Sequence, residues 1–187
     1  MRLALLLFTV LSISLWSAPA NLDVKNLSSE VMQLRSIVQY ESVTTNSVDC
    51  SQDFLLFFYD RKARSKVEDW FDQTMPEILQ KSGACHVHVL FAGGKSFLTP
   101  WRVLEGKIRS EVHRGRDRMN SKLNPEQKSI LANIPTSFYL DRDRAFTSRY
   151  EAPRHTLAGA SFSKGKVIGW FDDLLEDRVD FIKTLGD

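Results

Sequence analysis

Two apolar runs limit what this chain can become. Phe54-Leu55-Leu56-Phe57-Phe58-Tyr59 is apolar without interruption, and Cys85-His86-Val87-His88-Val89-Leu90-Phe91-Ala92 is nearly so. A strand with no polar alternation cannot leave one face in water. It must be covered on both, as in the middle of an α/β sheet. Between the runs Val67, Trp70, Phe71, Met75, Ile78 and Leu79 recur at helical spacing, and Gly83 ends the series. A chain of 187 residues is long enough for one domain to bury such a core. With 43% hydrophobic and 26% charged residues and a formal net charge of +2, it is not a collagen, a disordered acidic tail or a disulfide-dense miniprotein. The small net charge argues against electrostatic binding of the whole protein to nucleic acid.

The N-terminus reads as an export signal. Arg2 is a short positive region, Leu3 to Trp16 carries no charge, and Ala18-Pro19-Ala20 has the small-x-small pattern of a signal-peptidase site. Cleavage is expected after Ala20. The apolar run is too short to span a bilayer, which takes roughly 20 apolar residues, and no other segment approaches that length. An exported chain meets an oxidising compartment, periplasmic or extracellular, so the two cysteines, Cys50 and Cys85, are expected to form one structural disulfide. The competing reading is a buried, inert Cys85 thiol. Neither cysteine lies in a C-x-x-C.

The rest of the chain divides into an N-terminal helix with a linker, residues 21–52, and a domain over 53–187. Val24, Leu27, Val31, Leu34 and Val38 predict a helix over 22–40, and the Ser/Thr/Asn-rich stretch 42–52 a linker. Ser65-Lys66-Val67-Glu68 fits a capping box, which would start a helix near Lys66, with Pro76 kinking it. Thr99-Pro100 opens a long helix on which Phe97, Trp101, Leu104, Ile108 and Val112 share a stripe. Asn124-Pro125 caps a short helix to about Leu131. Thr136 to Leu140 is a third strand, Asp141 to Arg144 a turn, and Ala145 to Tyr150 its expected hairpin partner. Residues 151–166 read as irregular, and a last helix is expected from Trp170 to Leu185.

At Asn133-Ile134-Pro135-Thr136-Ser137-Phe138-Tyr139-Leu140-Asp141 this order of elements resembles the thioredoxin-like superfamily, and Met75-Pro76-Glu77-Ile78-Leu79 resembles its kinked helix. The resemblance covers roughly Phe54 to Leu185. It implies a three-layer α/β fold with a central mixed sheet, an added N-terminal helix and a long helical insertion before the strand that a cis Pro135 opens. The family's redox members carry C-x-x-C where the first core strand meets its helix, where the helix N-terminus stabilises a thiolate. Here that junction reads Asp60-Arg61-Lys62-Ala63-Arg64-Ser65, without sulfur. The resemblance therefore implies a thioredoxin-like protein without thiol exchange. What it would keep is a peptide-binding backbone at Ile134, before the proline, available for strand addition. In size, leader and element order the chain is similar to periplasmic pilus-assembly proteins of conjugative type IV secretion systems.

His86 and His88 alternate with valines and face one side of their strand. With His113 or His155 as a third ligand they are a weak metal candidate, against a hydrogen-bonded buried pair. Residues 102–128 carry Arg102, Lys107, Arg109, Arg114, Arg116, Arg118, Lys122 and Lys128. This is a basic patch for an acidic partner or simply a solvated helix face, opposed by Asp172, Asp173, Glu176, Asp177 and Asp180 near the C-terminus. No nucleophile elbow or phosphate loop occurs, and Asp141-Arg142-Asp143 matches a calcium loop only in its first three letters. The expectation is a non-catalytic protein, without cofactor, direct nucleic-acid contact or membrane span in the mature chain. It would bind other periplasmic or envelope proteins through Arg61, Lys62, Arg64, Ile134, Pro135 and the basic helix. The alternatives are a thiol–disulfide oxidoreductase or peroxidase-like enzyme using Cys50 and Cys85, and a metal-binding module.

Overall fold

The computed structural model describes residues 22–42, 49–93 and 100–186. The expected leader, most of the linker, and Phe97 and Thr99 at the start of the long helix lie outside the described residues.

The chain is an α/β domain on a six-stranded mixed sheet. Its elements in order are α1 (Val24–Gln33), β1 (Arg35–Tyr40), β2 (Phe54–Asp60), α2 (Arg64–Lys81), β3 (His86–Ala92), α3 (Trp101–Lys122), α4 (Pro125–Asn133), β4 (Thr136–Asp141), α5 (Ala145–Arg149), β5 (Leu157–Ser163), β6 (Lys166–Phe171) and α6 (Arg178–Lys183). The strands lie in the order β1-β4-β3-β2-β5-β6. Strands β2, β3 and β4 run parallel to one another, and β1, β5 and β6 are antiparallel additions.

Strand β2 is bonded on both edges, to β3 and β5, and Phe54 to Phe58 are all buried. Alternate side chains feed two cores. Leu55 and Phe57 join Val87 and Val89 under Val67, Trp70, Met75 and Ile78 of α2, with Leu131 of α4 and Phe181 of α6. Phe54, Leu56 and Phe58 join Val24, Leu27 and Val31 of α1 on the opposite face. A third cluster, Ile37, Val38, Phe91, Ile108 and Leu140, seats β1 against α3.

Several expected elements are corrected. The helix over 22–40 stops at Gln33, and Arg35–Tyr40 forms β1 beside β4. Leu34 and Val38 extended the helical spacing by coincidence, while Ile37-Val38 and Tyr40 suit a strand. The helix expected near Lys66 begins at Arg64, and its N-cap is Ala63, whose methyl side chain offers no acceptor; the Glu68 carboxylate pairs with Arg64 and Arg118. The turn is held by the Asp60 carboxylate, which accepts the amides of Lys62 at 2.9 Å and Ala63 at 3.3 Å. Helix α2 runs through Pro76 to Lys81.

The terminal hairpin is not 136–150. Residues 145–149 are helix α5, and Asp141, which accepts the amides of Phe146 and Thr147, turns the chain into it. The hairpin is β5–β6, formed by residues read as irregular. Its two-residue turn, Lys164-Gly165, has φ of 50° and 73°, the left-handed pair of a tight hairpin. The expected last helix shrinks to α6 because Trp170 and Phe171 belong to β6.

Pro135 is trans; no peptide bond among the described residues is cis. Ile134, φ −99° and ψ 109°, is extended, as a residue before proline prefers. Without a cis bond the chain passes from α4 into β4, and the Pro135 carbonyl accepts the Val87 amide at 2.9 Å. The strand it opens lies parallel to β3 rather than in a hairpin.

Cys50 and Cys85 form a disulfide whose Cα atoms are 5.5 Å apart. It ties the approach to β2 to the start of β3. With a sequence separation of 35 between the two cysteines, the chain-entropy model gives about 3–4 kcal/mol. Replacing both with alanine is expected to lower the guanidinium unfolding free energy by about that amount, with little change in far-ultraviolet dichroism. A loss below about 1 kcal/mol would show that the crosslink constrains little.

Candidate functional site

Parallel strands place one set of chain ends together. Asp60, Ala92 and Asp141 are register partners at the carboxyl edge of β2, β3 and β4, the edge where open α/β sheets bind ligands. The disulfide lies at the other edge.

Asp60 organises the carboxyl edge. Beyond the Lys62 and Ala63 amides, its carboxylate accepts the His155 amide at 3.0 Å. It pairs with His155 Nδ1 at 3.1 Å and lies 3.8 Å from the Arg144 guanidinium. Burial raises its affinity for a proton, but the amides of His155, Lys62 and Ala63 outweigh it and hold the carboxyl below the ordinary 3.8. Arg144 and His155 both have positive φ, 57° and 67°, an uncommon conformation for such residues that the surrounding contacts must hold. Arg144 also donates to the Ala152 carbonyl at 3.3 Å. Sequence spacing does not bring this constellation together, since Asp60, Arg144 and His155 are separated by most of the domain. Only a strand ending in Asp60 before a helix hinted at it.

Arg61 and Lys62 stand exposed beside Asp60. Arg64, expected to contact a partner, is half-buried and committed to Glu68 at 2.8 Å and Glu111 at 2.6 Å. Ile134 and Pro135 lie elsewhere. They precede β4 at the amino edge, a strand length of roughly 20 Å from Asp60 at about 3.3 Å per residue. The Ile134 amide donates to Ile130, and its carbonyl accepts the Thr136 hydroxyl. Strand β4 is paired on both sides, to β1 and β3, so the main chain that strand addition would use is engaged within the fold.

His86 and His88 do share a face. Their rings stack at 4.0 Å with planes 11° apart. His86 Nε2 meets the Ser137 hydroxyl at 3.0 Å, and His88 Nδ1 meets the Tyr139 hydroxyl at 3.2 Å. His113 bonds Tyr40 and His155 bonds Asp60, so neither approaches the pair. Among the described residues no group of three or more possible ligands forms. Burial drives the His86 pKa down to about 4, and burial, then the neighbouring His86, holds His88 well below 6.5.

Helix packing takes up Arg118 and Lys122 of the basic segment, while Arg102, Lys107, Arg109, Arg114 and Lys128 stand exposed. Asp72 of α2 takes Arg118 at 2.7 Å and Lys122 at 2.8 Å. Among the described residues no ion pair joins the C-terminal acids to this segment: Asp180 pairs with Lys183, and of the five only Asp180 lies in α6. Between α2, α3 and the sheet lies a cavity of about 110 Å³. Phe71 and Met75, Val87 and Val89, and Val112 and Met119 line it, and the bridges Arg64–Glu111 and Arg118–Glu68 cross its rim.

No family model matches the chain, and no curated protein is similar enough to be reported as a relative.

The histidine pair gives the fold a pH dependence. Both side chains are neutral when folded and ionise near 6.5 when unfolded, so between those values the unfolded chain binds more protons. Stability is therefore expected to fall as pH drops from about 7 to about 4, followed as the thermal midpoint. His86→Gln with His88→Gln should flatten that slope whatever it does to stability at pH 7. An unchanged slope would assign it to other groups.

Proposed function

We propose that this chain is an exported, thioredoxin-like protein that acts by binding other envelope or secreted proteins rather than by thiol chemistry. The observation that carries the reading is the place of the sulfurs. Cys50 and Cys85 are bonded to each other at the amino edge of the parallel strands, whereas the α2 N-terminus, where a dipole could stabilise a thiolate, is at the carboxyl edge and holds Asp60-Arg61-Lys62. The disulfide is compatible with an oxidising compartment, and among the described residues no helix is long and apolar enough to cross a membrane.

Support for the thioredoxin-like likeness is the β2-α2-β3 unit followed, beside β2, by the antiparallel β5–β6 pair. The trans Pro135 on the far edge is a departure from it, and it moves the expected contact surface. The exposed Arg61 and Lys62 at the carboxyl edge are the better candidates, with Ile134 and Pro135 the weaker. The narrower reading, a part in assembling a conjugative secretion apparatus, rests on size, leader and element order.

The oxidoreductase alternative gives a direct test. Purified protein is expected to show no titratable thiol without reductant and no catalysis of insulin reduction in dithiothreitol, and the double cysteine-to-alanine protein should keep whatever partner binding the parent has. Turnover of insulin that vanishes in the double variant would overturn the reading. Arg61→Glu with Lys62→Glu should reduce capture of envelope partners severalfold, and unchanged capture would remove this corner from the interface.

A further inference from the structure

The cavity between α2, α3 and the sheet carries one group that the fold leaves unmatched. Of the arginines on its wall, Arg64 and Arg118 are neutralised by Glu68, Glu111 and Asp72. Arg116 is half-buried, and among the described residues no carboxylate lies within ion-pair distance of it. Its guanidinium instead sits 3.8 Å over the Tyr40 ring. Stacking engages the face of that planar group and leaves the N–H donors at its edge, the side that forms a two-bond fork with a carboxylate. A partly buried cation without a counter-ion costs free energy that an anionic ligand would recover.

We propose that this cavity binds a monocarboxylic acid with a short apolar chain, the chain occupying the cavity and the carboxylate held by Arg116.

Three features select that chemistry. The walls are aliphatic, aromatic and thioether side chains, which favour a hydrocarbon tail. The volume of about 110 Å³ is in the range of apolar protein cavities that accept a benzene-sized group, about 150 Å³ in one engineered case. This suits a chain of about six carbons rather than a long lipid. The rim also carries Glu68, Asp72 and Glu111, and Asp117 adjoins Arg116, so a ligand with one negative charge is favoured over a phosphate with nearly two. Entry does not require breaking the core. The bridges across the rim are part-exposed, and such pairs are weak and screened by salt. Gly115, next to Arg116, also lines the cavity, and a Cβ built there meets nothing within 4 Å. The helix thus leaves an opening at a position where a side chain would fit.

The test uses the purified full chain, with calorimetric titration and thermal unfolding in sodium hexanoate, 1-hexanol and sodium acetate. Hexanoate is expected to saturate at one per chain and raise the midpoint, with hexanol and acetate each at least roughly tenfold weaker. Arg116→Gln should weaken hexanoate by roughly tenfold and leave hexanol unchanged, with Arg116→Lys between the two. Gly115→Phe should abolish binding of both while keeping the midpoint of the free protein. Hexanoate binding no tighter than hexanol would overturn the proposal, as would a folded Gly115→Phe protein that binds hexanoate like the parent. Neither result bears on the thiol test above, so the two readings fail separately.

Discussion

The arrangement depends on a single strand that cannot tolerate water on any side. β2 is paired along both edges, and its first five residues, Phe54 to Phe58, are buried with side chains on both faces. Each such side chain contributes about 1.5–3 kcal/mol on burial, and the full amount is realised only when helices cover both faces, since alternate side chains point to opposite sides. Phe57 meets Trp70, Phe71 and Phe181 edge-on, so one residue ties β2 to α2 and to α6 near the chain end. On the other face Phe54 stacks on Phe162 and approaches His88. The helical layers follow from this strand.

The same geometry separates two chemistries. Because β2, β3 and β4 run one way, whatever precedes them gathers at one edge and whatever follows gathers at the other. The amino edge receives the disulfide and Pro135. The carboxyl edge receives the Asp60 turn, Arg144 and His155. The sulfurs therefore brace the fold far from the helix end that could have activated them. Asp60 is occupied in closing the β2–α2 turn and in fixing His155, both through backbone amides, which explains why a carboxylate stands there.

Much of this was legible in the residues. The two apolar runs, the α2 stripe, the long α3 and the Asn124 cap of α4 are local signals, and each appears in the structure; the pairing of Cys50 with Cys85 followed from there being two cysteines in the chain. The failures have a common cause. Leu157-Ala158-Gly159-Ala160-Ser161-Phe162 is a strand buried by small residues, because Gly159 and its neighbours lie where Leu174 and β2 come close. Small residues and glycine read as loop until the neighbouring strand is known. The Lys164-Gly165 turn was the available sign of the hairpin. Arg35–Tyr40 is a strand because β4 offers an edge, and Ala145–Arg149 is a helix because the buried Asp141 carboxylate accepts its first amides. Both depend on residues distant in the chain or on the course of the backbone.

By itself the sequence determined that this chain needs a sheet covered on both faces, that α2 and α3 are amphipathic, and that the β2–α2 corner has no sulfur. These are properties of side-chain type and spacing. Only the tertiary structure decided which edge of the sheet each group reaches, that Pro135 is trans beside β3, that Asp60 meets His155, and that Arg116, on the wall of the cavity, has no carboxylate within ion-pair distance among the described residues. Periodicity fixes which face of an element is buried. It does not fix strand order or direction, and those decide which distant residues become neighbours.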